Sequence, residues 1–262
     1  MQILIGCDPE CFVKRNGQFV SAYGLIKGDK KNPFAVPYGA VQVDGMALEF
    51  NIDPAKNEDE FLFNVQEVFA TLKQMVPEYQ VVATPVADFD INYLMAQPVE
   101  ALELGCDPDY NAWSTAANER PDGDRPMRTA SGHVHIGWTQ NADKDSPVHQ
   151  GMGQAAVKQM DFFLGLPSLL YDNDTRRRSM YGKAGACRFK SYGVEYRTLS
   201  NAWLNSEKLI KWVFNNTKIG MERLMSGEML YEKYGDIQDI INSSDVRAAN
   251  TIINDANIPV PV

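Results

Sequence analysis

Three short segments of this chain each carry two charged or metal-ligating side chains two positions apart. In a β-strand, side chains at positions i and i+2 point to the same face of the sheet. If the segments are strands, two carboxylates, two imidazoles and a carboxylate–guanidinium pair can share one surface. Such a set suits metal binding beside an anionic group better than a packed core, where buried charges need partners. The segments are Asp8-Pro9-Glu10, His133-Val134-His135 and Glu195-Tyr196-Arg197.

The order of predicted elements indicates an α+β fold with a mostly antiparallel sheet. Asn16-Gly17 and Asp44-Gly45 are hairpin-turn signals, so the first quarter of the chain is predicted to be antiparallel sheet. A helix that begins with a capping box and ends at Pro77 is predicted next. Further strands are predicted over 79–84, 132–138 and 185–200, and further helices over 150–165, 205–225 and 236–255.

The 262 residues contain no linker long enough to divide them, which predicts a single domain over 1–262. Residues 105–130 are rich in Asp, Asn, Pro and Gly and are predicted to form an active-site loop, while 205–262 are predicted to be a helical C-terminal part. The net charge of −9 argues against a nucleic-acid partner. The sequence shows neither a signal peptide nor an apolar run of about 18 residues, so a cytoplasmic protein without a membrane span is expected.

Carboxylates are the first candidate metal ligands. Asp8 and Glu10 supply two oxygen ligands of the kind that Mg²⁺ and Mn²⁺ require, although a solvated acidic strand end is the alternative. Pro9 lacks an N–H, which predicts a sheet edge or a strand end at this point. Glu49 lies in an apolar run and needs a metal ion or a buried arginine to offset its desolvation. Asp44 is a weaker candidate, because Asp-Gly is also a turn sequence.

Two of the three histidines, His133 and His135, lie on one apolar strand. Imidazole is a common metal ligand and can also bind a phosphate oxygen. A zinc site would need a third nitrogen or sulfur ligand, and nothing in the spacing of His149 requires it to serve. The four cysteines are scattered, without the CxxC spacing of a zinc site, and are predicted to be reduced structural thiols.

Cationic candidates follow in the region 181–197. Arg188, Lys190 and Arg197 supply positive charge, and the planar fork of arginine matches carboxylate and phosphate oxygens. Two alternatives stay open at this stage. Glu195 is either a metal ligand or a salt-bridge partner, and the basic residues, together with Arg176–Arg178, are either a binding surface or a solvated face.

In this order, the motifs resemble the catalytic domain of the glutamine synthetase and γ-glutamylcysteine synthetase superfamily. Within that superfamily they most resemble the phage-encoded COOH–NH2 ligase-type proteins. The resemblance spans residues 6–200. The motifs that carry it are Gly6-Cys7-Asp8-Pro9-Glu10, Asp44-Gly45 with Glu49 and Pro54, Gly132-His133-Val134-His135, and Arg188 with Glu195-Tyr196-Arg197.

The resemblance implies a curved, mostly antiparallel sheet with helices packed on its outer face. It also implies an ATP-dependent ligase that uses Mg²⁺ or Mn²⁺, forms an acyl phosphate from a substrate carboxylate, and transfers the acyl group to an amine. The implied metal ligands are Asp8, Glu10, Glu49, His133 and Glu195. The implied nucleotide-binding residues are His135, Arg188, Lys190 and Arg197, of which His135, Arg188 and Arg197 are also implied to act in catalysis.

The expected partners are a small-molecule or peptide acid and an amine, with a homo-oligomer as a further expectation. If the chain is phage-encoded, the host cytoplasm is its expected location. Two other functions stay open from the residues alone. The same carboxylates and histidines could serve a metal-dependent hydrolase, or a non-catalytic phage protein could retain the fold.

Overall fold

The computed structural model describes residues 2–102, 109–118 and 126–261. Within these ranges the strands are β1 (Leu4–Arg15), β2 (Gln18–Val20), β3 (Phe34–Val36), β4 (Gly39–Asp44), β5 (Ala47–Ile52), β6 (Gln80–Val82), β7 (Val86–Asp88), β8 (Tyr110–Asn111), β9 (Met127–Thr129), β10 (Gly132–Gly137), β11 (Ala186–Lys190) and β12 (Gly193–Tyr196). The helices are α1 (Glu58–Met75), α2 (Ile91–Met95), α3 (Val99–Leu102), α4 (Pro147–Met160), α5 (Leu166–Ser168), α6 (Glu207–Met225), α7 (Leu230–Tyr234), α8 (Gln238–Asn242) and α9 (Val246–Asp255).

A large antiparallel sheet dominates the described part of the chain. Its strand order is β3-β4-β5-β1-β10-β12-β11-β8, and β2 and β6 also pair with the far end of β1. The ribbon formed by β7 and β9 is separate from this sheet. The prediction of a mixed fold with a mostly antiparallel sheet and helices is confirmed. None of the described helices is long and apolar enough to cross a membrane.

Strand β1 lies in the interior of the sheet, so the prediction of an edge or a strand end at Pro9 is wrong. Pro9 is opposite Gly132 on β10, while the ladder with β5 begins only at Glu10. The Glu10 N–H donates to the Ser131 carbonyl on the β10 side. Successive N–H groups of a strand point to opposite sides, so the nitrogen of Pro9 faces β5. The pairing of β1 with β5 begins only at the next residue, and the missing N–H of Pro9 therefore leaves no gap in that ladder.

The long helices pack against one face of the sheet, and the predicted site residues lie on the other, where the short helices α2 and α3 pack in a smaller core with Phe12. Along β1, the odd-numbered Ile5, Cys7, Cys11 and Val13 are buried in the core formed with the helices. That core includes α1, α4 and α6, which contribute side chains such as Phe61, Val157 and Phe214. The even-numbered Asp8 and Glu10 therefore face away from these helices.

Helix α1 begins as the sequence predicts. The Asn57 side chain accepts a hydrogen bond from the Glu60 N–H at 3.0 Å, and the Glu60 carboxylate accepts one from the Lys56 N–H at 2.8 Å. These bonds satisfy backbone donors at the start of the helix. The helix ends at Met75, just before Pro77.

Three other predictions change in detail. The strand predicted over 185–200 is a hairpin of β11 and β12, because Gly193 begins a second strand after a two-residue turn. The helical pair predicted over 236–255 is the two helices α8 and α9, preceded by the additional short helix α7. Of the loop predicted over 105–130, residues 105–108 and 119–125 lie outside the described residues, and the described part contains β8 and β9.

Candidate functional site

The predicted polar side chains gather on the face of the sheet opposite α1, α4 and α6. Directly opposed residues of neighbouring antiparallel strands share a face, as do residues two positions apart along one strand. Both relations connect the candidates across β5, β1, β10, β12 and β11. The opposed pairs are Glu10 with Glu49, Asp8 with His133, His135 with Glu195, and Arg188 with Glu195.

One cluster on this face consists of three carboxylates, those of Glu10, Asp44 and Glu49. Each places one oxygen within 4.8 Å of the other two, so Asp44 is part of the cluster and not only a turn residue. Lys30 Nζ lies 2.8 Å from Asp44 Oδ2, and the Gln42 side-chain amide donates to Glu49 Oε2 at 2.7 Å. Three acidic groups thus share a small volume with one exposed ammonium group.

The raised pKa values of Glu10 and Glu49 show that the proximity of three carboxylates is electrostatically unfavourable. Burial and the neighbouring Asp44 charge raise the pKa of Glu10 to about 7. Burial and the charges of Asp8 and Glu10 raise the pKa of Glu49 well above its usual value. The ionised forms of both side chains are therefore disfavoured unless a cation offsets their repulsion.

A second cluster on the same face combines Asp8, His135 and Glu195, which also place ligand atoms within 4.8 Å of one another. Asp8 Oδ1, His135 Nε2 and Glu195 Oε2 are buried and form no hydrogen bond, although His135 Nε2 lies 3.1 Å from Asp8 Oδ1. These atoms have ion-pair neighbours only, such as His133 Nδ1 at 3.2 Å from Asp8 Oδ1, whereas buried polar groups are normally hydrogen-bonded. A cation held between them would satisfy all three.

His133 lies beside this mixed cluster. Its Nδ1 is 3.2 Å from Asp8 Oδ1, 3.5 Å from Glu195 Oε1 and 3.3 Å from Arg197 Nη1. Burial and the charge of Arg197 lower the pKa of His133 to about 4. The imidazole is therefore neutral near pH 7 and keeps a lone pair, as a metal ligand must.

Cationic side chains surround Glu195, which is only 1% exposed. Arg197 forms an ion pair with Glu195, Lys190 Nζ lies 2.9 Å from Glu195 Oε2, and Arg188 Nη1 lies 3.9 Å from Glu195 Oε1. Burial alone would raise the pKa of Glu195, but the charges of Arg197, His135 and His133 together outweigh burial and lower the value to about 2. Glu195 is thus a salt-bridge partner, and its Oε2, which lies near the Lys190 ammonium without a hydrogen bond, can also bind a cation.

A cavity of about 380 Å³ lies over this face. Its volume falls within the range of small-molecule sites. The carboxylate cluster forms one wall, and Asp8, His133, Arg188 and Arg197 line another part, whereas His135, Lys190 and Glu195 are not among the lining residues. The described parts of the predicted loop also contribute lining residues, namely Asp109, Asn111, Ala117, Asn118, Met127, Arg128 and Thr129.

Several candidates do not enter the site. His149 is buried against the helix side, where its Nε2 lies 2.7 Å from the Lys190 carbonyl and its ring contacts Trp138. Cys7, Cys11 and Cys187 are buried free thiols, and burial raises the pKa of each of them. Burial of these three agrees with the prediction of reduced structural thiols, and Cys106 lies outside the described residues.

Other residues enter the site without a signal in the sequence. Asp109 Oδ2 lies 3.3 Å from Arg197 Nε, and the Tyr192 hydroxyl hydrogen-bonds with His135 Nδ1. Arg177 is 2% exposed and lines the cavity, and its guanidinium donates to the Thr198 carbonyl at 2.8 Å. A run of three arginines such as Arg176–Arg178 is usually exposed to solvent, so the burial of Arg177 could not be recognised from residue types alone.

Gly182 makes the burial of Arg177 feasible. Its φ of +70° lies in the left-handed region, and a Cβ there would lie 1.9 Å from Arg177 Nη1. Only a glycine combines this backbone conformation with the close approach of the guanidinium. The flanking members of the basic run differ in environment, since Arg178 is buried and Arg176 is exposed.

Comparison with protein families gives a match to the second half of the site. A family model described as phage phiEco32-like COOH.NH2 ligase-type 2 matches residues 129–236, which is under half of the chain. The matched region contains His133, His135, Arg188, Glu195 and Arg197, and it excludes the carboxylate cluster. No curated protein matches the chain. The name of the family suggests a ligase that joins a carboxyl group and an amino group.

Proposed function

We propose that this chain is an ATP- and Mg²⁺-dependent carboxylate–amine ligase with a catalytic domain of the glutamine synthetase type. The observation that carries the proposal is the presence of two clusters of potential cation ligands beside arginines on one sheet face. Enzymes that transfer a phosphoryl group use divalent ions and cationic side chains to offset the charge of the polyphosphate. The name of the family that matches 129–236 suggests the joining of a carboxyl and an amino group, which supports the ligase part of the proposal.

The residues present fit divalent cations. The cluster of Glu10, Asp44 and Glu49 offers only oxygen atoms, which suits Mg²⁺ or Mn²⁺. The mixed cluster offers two carboxylates and an imidazole, and three of its buried atoms have no hydrogen bond. Within the proposal, the predicted ligands Asp8, Glu10, Glu49, His133 and Glu195 are joined by Asp44 and His135.

The chain's own cationic groups would bind and orient the reactants. Arg188 and Arg197 line the cavity, so their guanidinium groups can contact phosphoryl oxygens of ATP, and Lys190 adds charge behind them. When bound, the divalent ions would supply the positive charge that offsets the polyphosphate. The γ-phosphoryl group would pass to the substrate carboxylate with release of ADP, and the amine would then displace phosphate to form the amide.

Held between the sheet and the residues that cover it, an acid and an amine would meet at high effective concentration. The lining residues include both anionic and cationic side chains, which suits one substrate with a carboxylate and another with an amine. We further propose that these substrates are small molecules or peptides. We also propose that the protein acts in the cytoplasm, possesses no nucleic-acid or membrane partner, and forms a homo-oligomer.

The test is calorimetric titration of metal-stripped protein with a non-hydrolysable ATP analogue, with and without Mn²⁺. The proposal predicts binding that requires Mn²⁺. Glu49→Gln should weaken that binding at least about tenfold, because even the loss of an outer partner of a metal ligand costs 10- to 100-fold. Glu67→Gln, which makes the same change at an exposed position of α1, should bind like the parent.

Two results would overturn the proposal. If neither condition gives nucleotide binding, phosphoryl transfer from ATP is excluded, and tight zinc binding by the same protein would favour a hydrolase. If Glu49→Gln binds the analogue as the parent does, the carboxylate cluster does not hold the ion that accompanies the nucleotide.

A further inference from the structure

Tyr192 is the residue of the hairpin between β11 and β12 that contacts the mixed cluster. Its hydroxyl hydrogen-bonds with His135 Nδ1, and the two rings stack with centroids 5.9 Å apart and planes 17° from parallel. A hydrogen bond and a ring contact together fix both the position and the rotation of the imidazole. The other ring nitrogen, Nε2, is thereby directed at Asp8 Oδ1, 3.1 Å away.

The backbone holds Tyr192 in place. The Trp138 and Thr139 N–H groups both donate to the Tyr192 carbonyl, at 3.0 and 3.2 Å, and the Ala142 N–H donates to the Ser191 carbonyl at 2.9 Å. These bonds join the turn to the segment that follows β10, the strand that carries His135. The phenol and the imidazole it contacts are therefore parts of one rigid unit.

The space that His135 Nε2 faces has the features of a cation site. Glu195 is 1% exposed, and its Oε2, like Asp8 Oδ1 and His135 Nε2, has no hydrogen bond. Lys190 Nζ lies 2.9 Å from Glu195 Oε2 without the geometry of a hydrogen bond. This ammonium, on a side chain about one-third exposed, shows that the position attracts positive charge.

We propose that Tyr192 is a positioning residue that holds His135 as a nitrogen ligand of a divalent cation, between Asp8 and Glu195. The phenol oxygen accepts the Nδ1 hydrogen, and the Nε2 lone pair is then directed at the cation. Histidine ligands of metals typically donate their second N–H to such an outer partner, which fixes the tautomer and the ring orientation. This inference rests on the proposed function, since it assigns a residue that supports one of its cation sites.

The two clusters should consequently differ in the metals they prefer. The cluster of Glu10, Asp44 and Glu49 offers oxygen alone and does not discriminate against Mg²⁺. The mixed cluster, with an imidazole among its ligands, should favour Mn²⁺, Co²⁺ or Zn²⁺ over Mg²⁺. Competition by excess Mg²⁺ should therefore remove Mn²⁺ from the carboxylate cluster first.

The experiment is Mn²⁺ titration of the metal-stripped full chain, monitored by electron paramagnetic resonance, with electron spin-echo detection of nitrogen coupled to the bound Mn²⁺. The parent protein should show a ¹⁴N coupling that His135→Gln weakens, because His133 is then the remaining nitrogen ligand among the proposed ligands. Tyr192→Phe should lower Mn²⁺ affinity at this site about 10- to 100-fold and weaken the ¹⁴N signal at a fixed Mn²⁺ concentration. Tyr23→Phe, an exposed tyrosine outside the site, is the matched control and should match the parent.

The possible failures are distinct. If the parent binds no Mn²⁺, both the proposed function and the role of Tyr192 are overturned. If the parent binds Mn²⁺ without a ¹⁴N coupling, or if His135→Gln leaves the coupling unchanged, His135 is not a ligand and this inference fails, while the carboxylate cluster can still hold the ion of the proposed function. If Tyr192→Phe equals the parent in affinity and in ¹⁴N coupling, the phenol does not position the imidazole.

Discussion

At the scale of single residues, the raised pKa values within the carboxylate cluster are the clearest consequence of the structure. Burial and the Asp44 charge raise the pKa of Glu10 to about 7, against an ordinary value near 4.5. An acid whose pKa is higher in the folded state binds protons more readily there than in the unfolded chain. Its contribution to stability is present at low pH and is lost as pH rises from about 4.5 through about 7.

A pH-dependent stability difference between the parent and Glu10→Gln follows from that shift. In metal-free buffer, the parent should lose thermal stability relative to the variant as pH rises from about 5 to about 8, because only the parent must ionise this buried group. Glutamine keeps an oxygen that can accept the Ser131 N–H, now bound to Glu10 Oε2 at 2.8 Å. Thermal denaturation of both proteins across this pH range, with Glu67→Gln as control, measures the effect, and parallel curves would contradict it.

Added Mg²⁺ should offset the loss of thermal stability of the parent relative to Glu10→Gln at high pH. A cation that binds the folded protein and not the unfolded chain stabilises the folded state by mass action. Above pH 7, Mg²⁺ should therefore raise the melting temperature of the parent more than that of Glu10→Gln. An equal rise in the two proteins would indicate that Mg²⁺ binds elsewhere.

At the scale of elements, the ribbon of β7 and β9 is tied to the segment that precedes β11 by one arginine. Arg176 Nη1 lies 2.9 Å from Asp88 Oδ2 on β7, and Arg176 Nη2 lies 2.8 Å from Asp174 Oδ2. Both connected parts line the cavity, through Met127 on β9 and Arg177. The exposed arginine thus joins two walls of the site.

Loss of this link should loosen the ribbon more than it destabilises the fold. Exposed ion pairs contribute less than about 1 kcal/mol, so Arg176→Ala should change the free energy of unfolding only slightly. Hydrogen exchange of the β7 and β9 amides should nevertheless be faster, since local opening depends on the contacts of that element. Unchanged exchange in β7 and β9, measured by mass spectrometry beside Lys144→Ala as a surface control, would show that the ribbon is held by its apolar contacts alone.

The elements also show what residue patterns can and cannot predict. The spacing of Asp8 and Glu10, or of His133 and His135, predicts a shared face because it depends on one strand only. The opposition of Glu10 to Glu49 depends on which strands are neighbours, and that follows from packing of the whole sheet. Tyr192 was not predicted for the same reason, since its contact with His135 requires the β11–β12 hairpin to lie beside β10.

At the scale of the whole molecule, the mixed fold with an antiparallel sheet was predictable from turn signals and strand alternation. The interior position of β1 could not be predicted, because Pro9 suggests an edge strand. In the structure Pro9 lies one residue before the pairing of β1 with β5 begins, so its missing N–H costs no hydrogen bond in that ladder. Burial of Arg177 likewise depends on a segment that folds around it at Gly182. Local rules therefore predicted the elements and singled out the residues of the two clusters as candidates, while the assembly of two separate clusters required the sheet.

Divalent cations held at two places on this sheet face would be seen in an anomalous difference map from crystals of the protein with Mn²⁺, compared with the same map for Glu49→Gln. We expect one peak among Glu10, Asp44 and Glu49, a second among Asp8, His135 and Glu195, and loss of the first peak alone in the variant. Mn²⁺ peaks confined to other surfaces, or a parent map without a peak on this face, would contradict this expectation.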